Sequence, residues 1–70
     1  METEKWGRRI RAFRKLKGYT QSELAKEVGV TISIIGEIER GNRIPSDRIL
    51  TDIATVLQIK KEELGNESKV

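Results

Sequence analysis

Seventy residues make one domain at most, and a core that small is marginal without a staple, which a chain lacking cysteine cannot supply as a disulfide. Fourteen Lys and Arg against 11 Asp and Glu leave a net charge of +3, and the absence of histidine and cysteine removes the commonest metal ligands and most nucleophile–base pairs, so no enzyme, metal or cofactor is expected. No apolar run approaches the ~20 residues that span a bilayer and the N-terminal stretch has no signal-peptide core, so the expectation is a soluble cytoplasmic protein without a membrane partner.

In chain order, the first helix is expected over about residues 4 to 17. Trp6, Ile10, Phe13 and the stem of Lys17 fall on one stripe, and Gly18 ends it. Tyr19 is placed to staple the start of the next helix, where Thr20 and Glu23 form a Thr-x-x-Glu capping box. That helix runs from 21 to 28, with Leu24, Ala25 and Val28 inward and Gly29 at its end. Thr31 caps a third helix over about 32 to 40, with Ile35 and Ile38 inward and Gly41 closing it. After the breaker cluster Gly41–Pro45, Ser46 caps a fourth helix over 47 to 57, whose apolar face is Leu50, Ile53, Ala54 and Leu57. Ile59 and Leu64 suggest a last short helix near 61 to 64. Residues 65–70 lack core side chains and are expected to be disordered.

Two short helices joined by a turn of three to four residues containing glycine, here about 21–40, carry the helix-turn-helix signature. In such a motif the second helix presents its outer face to the major groove of DNA. Charge is distributed accordingly. Lys5, Arg8, Arg9, Arg11, Arg14, Lys15 and Lys17 precede the motif without one acid among them, and Arg40, Arg43 and Arg48 follow it. These two basic stretches either straddle a phosphate backbone or merely solvate their helices.

The stretches RIRAFRKLKGYTQSELAKEVGV, IGEIERGNRIPS and LTDIATVLQI make the chain resemble the Cro/Xre-type, lambda-repressor-like helix-turn-helix family over about residues 6 to 64. Gln21 after Thr20, the Gly29–Val30 turn and Ile-Glu-Arg-Gly at 38 to 41 carry the specificity of the match. The resemblance implies an all-α domain of five helices spanning residues 1–64 that binds double-stranded DNA, usually as a homodimer. It also implies roles for matching residues. Gln21 would hold a backbone phosphate at the start of the second helix, or be only a first-turn polar residue. Arg14 and Glu39 would pair between the first and third helices, with Arg14 also reaching phosphate, or form a purely structural clamp. Arg40, Asn42, Arg43 and Ser46 would grip the phosphate strand, or form a solvated loop.

Base readout would fall to Thr31, Ile32, Ser33 and Glu37. Ser33 can bond several bases, Ile32 can meet a thymine methyl, and Glu37 can accept from a cytosine amino group. The plain alternatives are one exposed apolar residue at Ile32 and surface solvation at Glu37. Position 36 also points outward in the family, but Gly36 has no side chain to offer. Gln58 stands where the family commonly has glycine, and Lys60–Lys61 replace a polar cap and an apolar residue. A weak fifth helix and an altered dimer contact are therefore expected. The reading is a sequence-specific transcriptional regulator, a repressor on a palindromic operator. With no second domain to sense a ligand, control would pass through its own concentration, a partner protein or degradation. The alternative is a protein-binding module on the same fold: an antirepressor, an antitoxin or a complex subunit. Glu37, Ile32, Ile34 and Ile49 favour that alternative.

Overall fold

Short apolar stripes separated by caps leave the chain little choice but a set of brief helices packed crosswise. The computed structural model describes residues 2–65, with side chains from residue 6 to residue 64. The helices are α1 (Glu2–Leu16), α2 (Gln21–Val28), α3 (Ile32–Glu39), α4 (Asp47–Leu57) and α5 (Glu62–Gly65), and no strand occurs among the described residues. The all-α expectation is met. α1 starts two residues earlier than its stripe suggested, and α5 takes in Gly65. The rest of the expected tail lies outside the described residues.

Local chemistry sets both ends of most helices. Thr20 accepts from the Glu23 backbone N–H while the Glu23 carboxylate accepts from that of Thr20, a complete capping box. Thr31 and Ser46 cap α3 and α4 by accepting from the N–H groups of Ile34 and Ile49. The C-terminal ends of α1 to α4 share one arrangement. Tyr19, Val30, Asn42 and Ile59 each donate a backbone N–H to the carbonyl five residues back, at Arg14, Ala25, Glu37 and Ala54. This closure needs a left-handed residue one position earlier. Glycine supplies it three times, and Gln58, with φ of 60°, supplies it at the end of α4.

The core is one cluster. Ile10, Leu24, Ile35, Ile38, Ile53, Leu57 and Leu64 are fully buried. Trp6, Phe13 and Val28, expected inside, are half-buried and pack against that cluster from its edge. A domain this small cannot enclose large side chains at every stripe position. Lys17 is exposed and adds nothing to the stripe. α5 is short but not loosely attached: Leu64 is fully buried, α5 packs on α1, and Arg9 Nη1 donates to the Glu63 carbonyl at 3.0 Å. Lys61, which replaces an apolar residue, forms an ion pair with Asp47 at the start of α4. Tertiary anchoring replaces the local signals that the sequence of α5 lacks.

α1 crosses the end of α3 so closely that Gly7 is needed there. A Cβ built at this position would lie 2.7 Å from the Glu39 carbonyl oxygen, and the obstacle is backbone on both sides. Helix propensity alone would reward Gly7→Ala by about 1 kcal/mol. Overpacking opposes this, so the variant is expected to lose about 1–3 kcal/mol in a denaturant titration. A stabilised Gly7→Ala protein would show that α1 does not sit on α3 in this way. Gln58→Gly is expected to act in the opposite direction, raising stability by about 1 kcal/mol because it relieves a left-handed non-glycine residue. An unchanged or lowered melting temperature would rule out the left-handed closure of α4.

Candidate nucleic-acid interface

α3 is eight residues long, and its inward positions are taken by Ile35 and Ile38. Its opposite side therefore presents Ile32, Ser33 and Glu37 to solvent, with Thr31 at the start and Arg40 just past the end. Thr31 and Ser33 are exposed, Ile32 is 49% exposed, and Glu37 is partly so. The four residues expected to read bases thus lie together on the outer face and leading end of one helix.

That face is held by a buried ion pair. Arg14 of α1 meets Glu39 of α3 through Nε at 2.6 Å and Nη2 at 3.1 Å, and its Nη1 donates to the Tyr19 carbonyl at 2.8 Å. Each of the two residues is 7% exposed. Gln21 joins the cluster, its Nε2 donating to Glu39 Oε1 at 3.0 Å. The structural clamp is therefore present. All three Arg14 nitrogens are engaged inside the protein and the residue is 7% exposed, so two N–H groups and little surface remain for the phosphate contact expected of it. Gln21 is half-buried and spends one amide hydrogen on Glu39, keeping a second amide hydrogen and its oxygen.

Beside the clamp lies an open cleft lined by Arg11, Gln21, Glu39, Arg40 and Asn42. It sits where the N-terminal end of α2 meets the C-terminal end of α3, whose dipole ends oppose one another, so its positive character comes from Arg11 and Arg40, with Glu39 already paired to Arg14. No ion pair engages Arg11 or Arg40 among the described residues. Such a cleft suits a phosphate group. Arg11 was not singled out from the sequence as a contact residue. Its signal was available in the i, i+3, i+7 spacing of Arg8, Arg11 and Lys15, which gives them a common face.

Two further arrangements were not legible beforehand. Gly36 is buried beneath Arg40: a Cβ there would lie 3.0 Å from Arg40 Nη1. The position is therefore not open to solvent, as outward placement had suggested, because the guanidinium one turn on folds back over it. Secondly, Arg43 Nε donates to Glu37 Oε1 at 2.6 Å. The expected phosphate contact and the expected base reader are thus joined in one partly exposed pair. Gly41 reverses the chain and returns Arg43 toward Glu37 across the end of α3. Ser46 is exposed, and its oxygen caps α4 while its hydroxyl hydrogen stays available to donate outward. No group of three or more potential metal ligands occurs among the described residues, and none of their helices is long and apolar enough to cross a membrane.

Comparison with known proteins decides what this architecture is. A helix-turn-helix family model, HTH_3, matches residues 10–64. The chain belongs to that family. The uncharacterized HTH-type transcriptional regulator YazB of Bacillus subtilis (strain 168) is 62% identical over 69 residues, covering 99% of this chain and 100% of YazB. The HTH-type transcriptional regulator SinR of the same organism is 40% identical over 62 residues, covering 87% of this chain but only 56% of SinR. A crystal structure of SinR, the master regulator for biofilm formation, in complex with DNA matches with a TM-score of 0.80 at 40% identity, over 84% of this chain and 95% of that one. The restriction-modification controller protein C.AhdI from Aeromonas hydrophila matches with a TM-score of 0.85 at 39% identity, over 89% and 94% of the two chains. The fold is therefore that of the Cro/C1-type helix-turn-helix transcriptional regulators.

The clamp makes a stability prediction that separates it from an ordinary surface pair. Glu39→Ala leaves the Arg14 charge buried without a partner and is expected to cost about 3–5 kcal/mol by denaturant titration. Arg14→Met combined with Glu39→Leu is expected to recover most of that loss, since no charge is then stranded. A mild effect of Glu39→Ala, below about 1 kcal/mol, would mark the pair as solvated rather than buried.

Proposed function

We propose that this chain is a sequence-specific transcriptional repressor that binds a palindromic operator as a homodimer in the cytoplasm. The observation that carries the reading is the arrangement of α3: a solvent-facing row of Thr31, Ile32, Ser33 and Glu37, fixed by the Arg14–Glu39 clamp beside a cationic cleft. The row enters the major groove. Gln21, Arg40 and Asn42, with Arg11 beside them, hold the phosphate strand at one side, while Arg43 and Ser46 meet it beyond the helix. The match to a regulator solved with DNA supports this placement.

The row reads bases sparingly. It has no Arg, Asn or Gln at 32, 33 or 37, the side chains that make bidentate contacts to guanine and adenine. Ile32 meets a thymine methyl, Ser33 donates or accepts, and Glu37 accepts from cytosine. Arg43 neutralises Glu37, which lowers the repulsion between that carboxylate and the phosphates. The rival reading, a protein-binding module, draws on exposed Ile32 and Ile44. Ile34 and Ile49, which also favoured it, are half-buried and packed on the core.

Binding-site selection from random duplexes, run on the wild type and Glu37→Gln together, tests both readings. The wild type is expected to enrich paired half-sites with centres about 34–36 Å apart, one helical turn. Glu37→Gln is expected to change the preferred base at one position in each half-site, a discrimination of about 1–3 kcal/mol. It should also raise non-specific affinity, because it frees Arg43 for phosphate. Identical motifs from the two proteins would remove Glu37 from the readers. No enrichment by either folded protein would favour the protein-binding module.

A further inference from the structure

The helix-turn-helix motif leaves most of the acid-free basic run of residues 5–17 without a role. The structure divides its described members. Arg14 turns inward to Glu39, and Arg9 donates to the Glu63 carbonyl of α5. Arg8, Arg11 and Lys15 are all exposed, and no hydrogen bond or ion pair engages them among the described residues. At 3.6 residues per turn they fall within about 60° of one another on α1, a row about 10 Å long. Arg8, Arg11 and Lys15 line a shallow groove with Ala12, and Arg11 also lines the cleft shared with Gln21, Arg40 and Asn42. The row therefore runs without interruption into the phosphate-binding side of the motif.

We infer that the Arg8–Arg11–Lys15 face of α1 is a second binding surface for the sugar-phosphate strand, extending the footprint beyond the helix-turn-helix. The inference rests on the DNA-binding reading above. Three cations along about 10 Å match the length over which a duplex strand, rising about 3.4 Å per nucleotide, offers several phosphates. The surface carries no sequence information, since it has nothing to reach base edges. A lipid surface fits it poorly. Among the described residues of α1, Leu16, 75% exposed, is the one exposed large apolar side chain, and a single residue does not supply the apolar face that interfacial helices insert.

The test is the salt dependence of binding to a random-sequence duplex of about 40 base pairs, which needs no knowledge of the operator. Arg8→Gln/Lys15→Gln removes two exposed charges from the row. Lys17→Gln/Lys60→Gln removes the same charge elsewhere and serves as control, Lys17 lying just past the end of α1 and outside the row. Unchanged melting curves establish that both variants are folded. The row variant is expected to flatten the slope of log affinity against log salt by about 1.8, or about 0.9 for each lost phosphate contact, while the control changes it little. An unchanged slope in the row variant overturns the inference but leaves DNA binding standing. An equal drop in both variants also overturns it, because net charge alone then explains the effect. If the wild type binds no duplex at any salt, the DNA-binding reading fails, and this inference fails with it.

Discussion

The Arg14–Glu39 ion pair is the contact on which the rest of the arrangement depends. It links α1 to α3 directly, takes in the start of α2 through Gln21, and ties down the α1–α2 turn through the Tyr19 carbonyl. Removing two charges from water is costly, and an apolar pair of similar volume would stabilise the fold about as well. What an apolar pair would not give is direction. A bidentate guanidinium–carboxylate contact fixes the angle of both side chains. Here that angle sets the rotation of α3 relative to the N-terminal end of α2. The outer face of α3 and the cleft beside it are therefore held in one register.

Internal pairing also gives the modest net charge a sharp distribution. Arg14 is neutralised by Glu39, Arg43 by Glu37 and Lys61 by Asp47. Arg8, Arg11, Lys15 and Arg40 have no such partner among the described residues, and they gather on the side of α1 and the end of α3 that meet at the cleft. A duplex approaching this side meets a concentrated positive field, although the whole chain carries only +3. Net charge alone understates this, because Glu37, Glu39 and Asp52 are each spent on an arginine of their own.

What could be read from the sequence was what local chemistry decides. Thr20 with Glu23, Thr31 and Ser46 announced helix starts, and Gly18, Gly29 and Gly41 announced ends, because caps act within a few residues. The stripes of Ile35, Ile38, Leu50, Ile53 and Leu57 announced inward faces for the same reason. Gln58 escaped this logic: a left-handed glutamine carries no local signal, and the α4 closure is made all the same through the Ile59 N–H to the Ala54 carbonyl. The half-burial of Trp6 and Phe13 could not be seen either, since their stripe says which way they point but not how far the neighbouring helices reach. Nothing in the local sequence marks Gly7 as special. Only the crossing of α1 over the Glu39 carbonyl shows why a side chain is excluded there.

The common placement of the nominated residues was legible in the sequence, but their pairings were not. The residues nominated as base contacts do share one face. Their couplings depend on how the chain returns after Gly41, and no spacing rule contains that. Glu37 and Arg43 are six positions apart and meet because the closure of α3 turns the chain back on itself. The Arg40 guanidinium approaches Gly36 closely, where a Cβ would stand 3.0 Å from its Nη1. Both contacts change the chemistry offered to a groove. A carboxylate that would repel phosphate is paired with an arginine, and the Arg40 guanidinium folds back toward Gly36 beside the cleft. On the DNA-binding reading, a face with so few groups able to read bases puts the weight of recognition on phosphate placement and on how readily a given sequence bends.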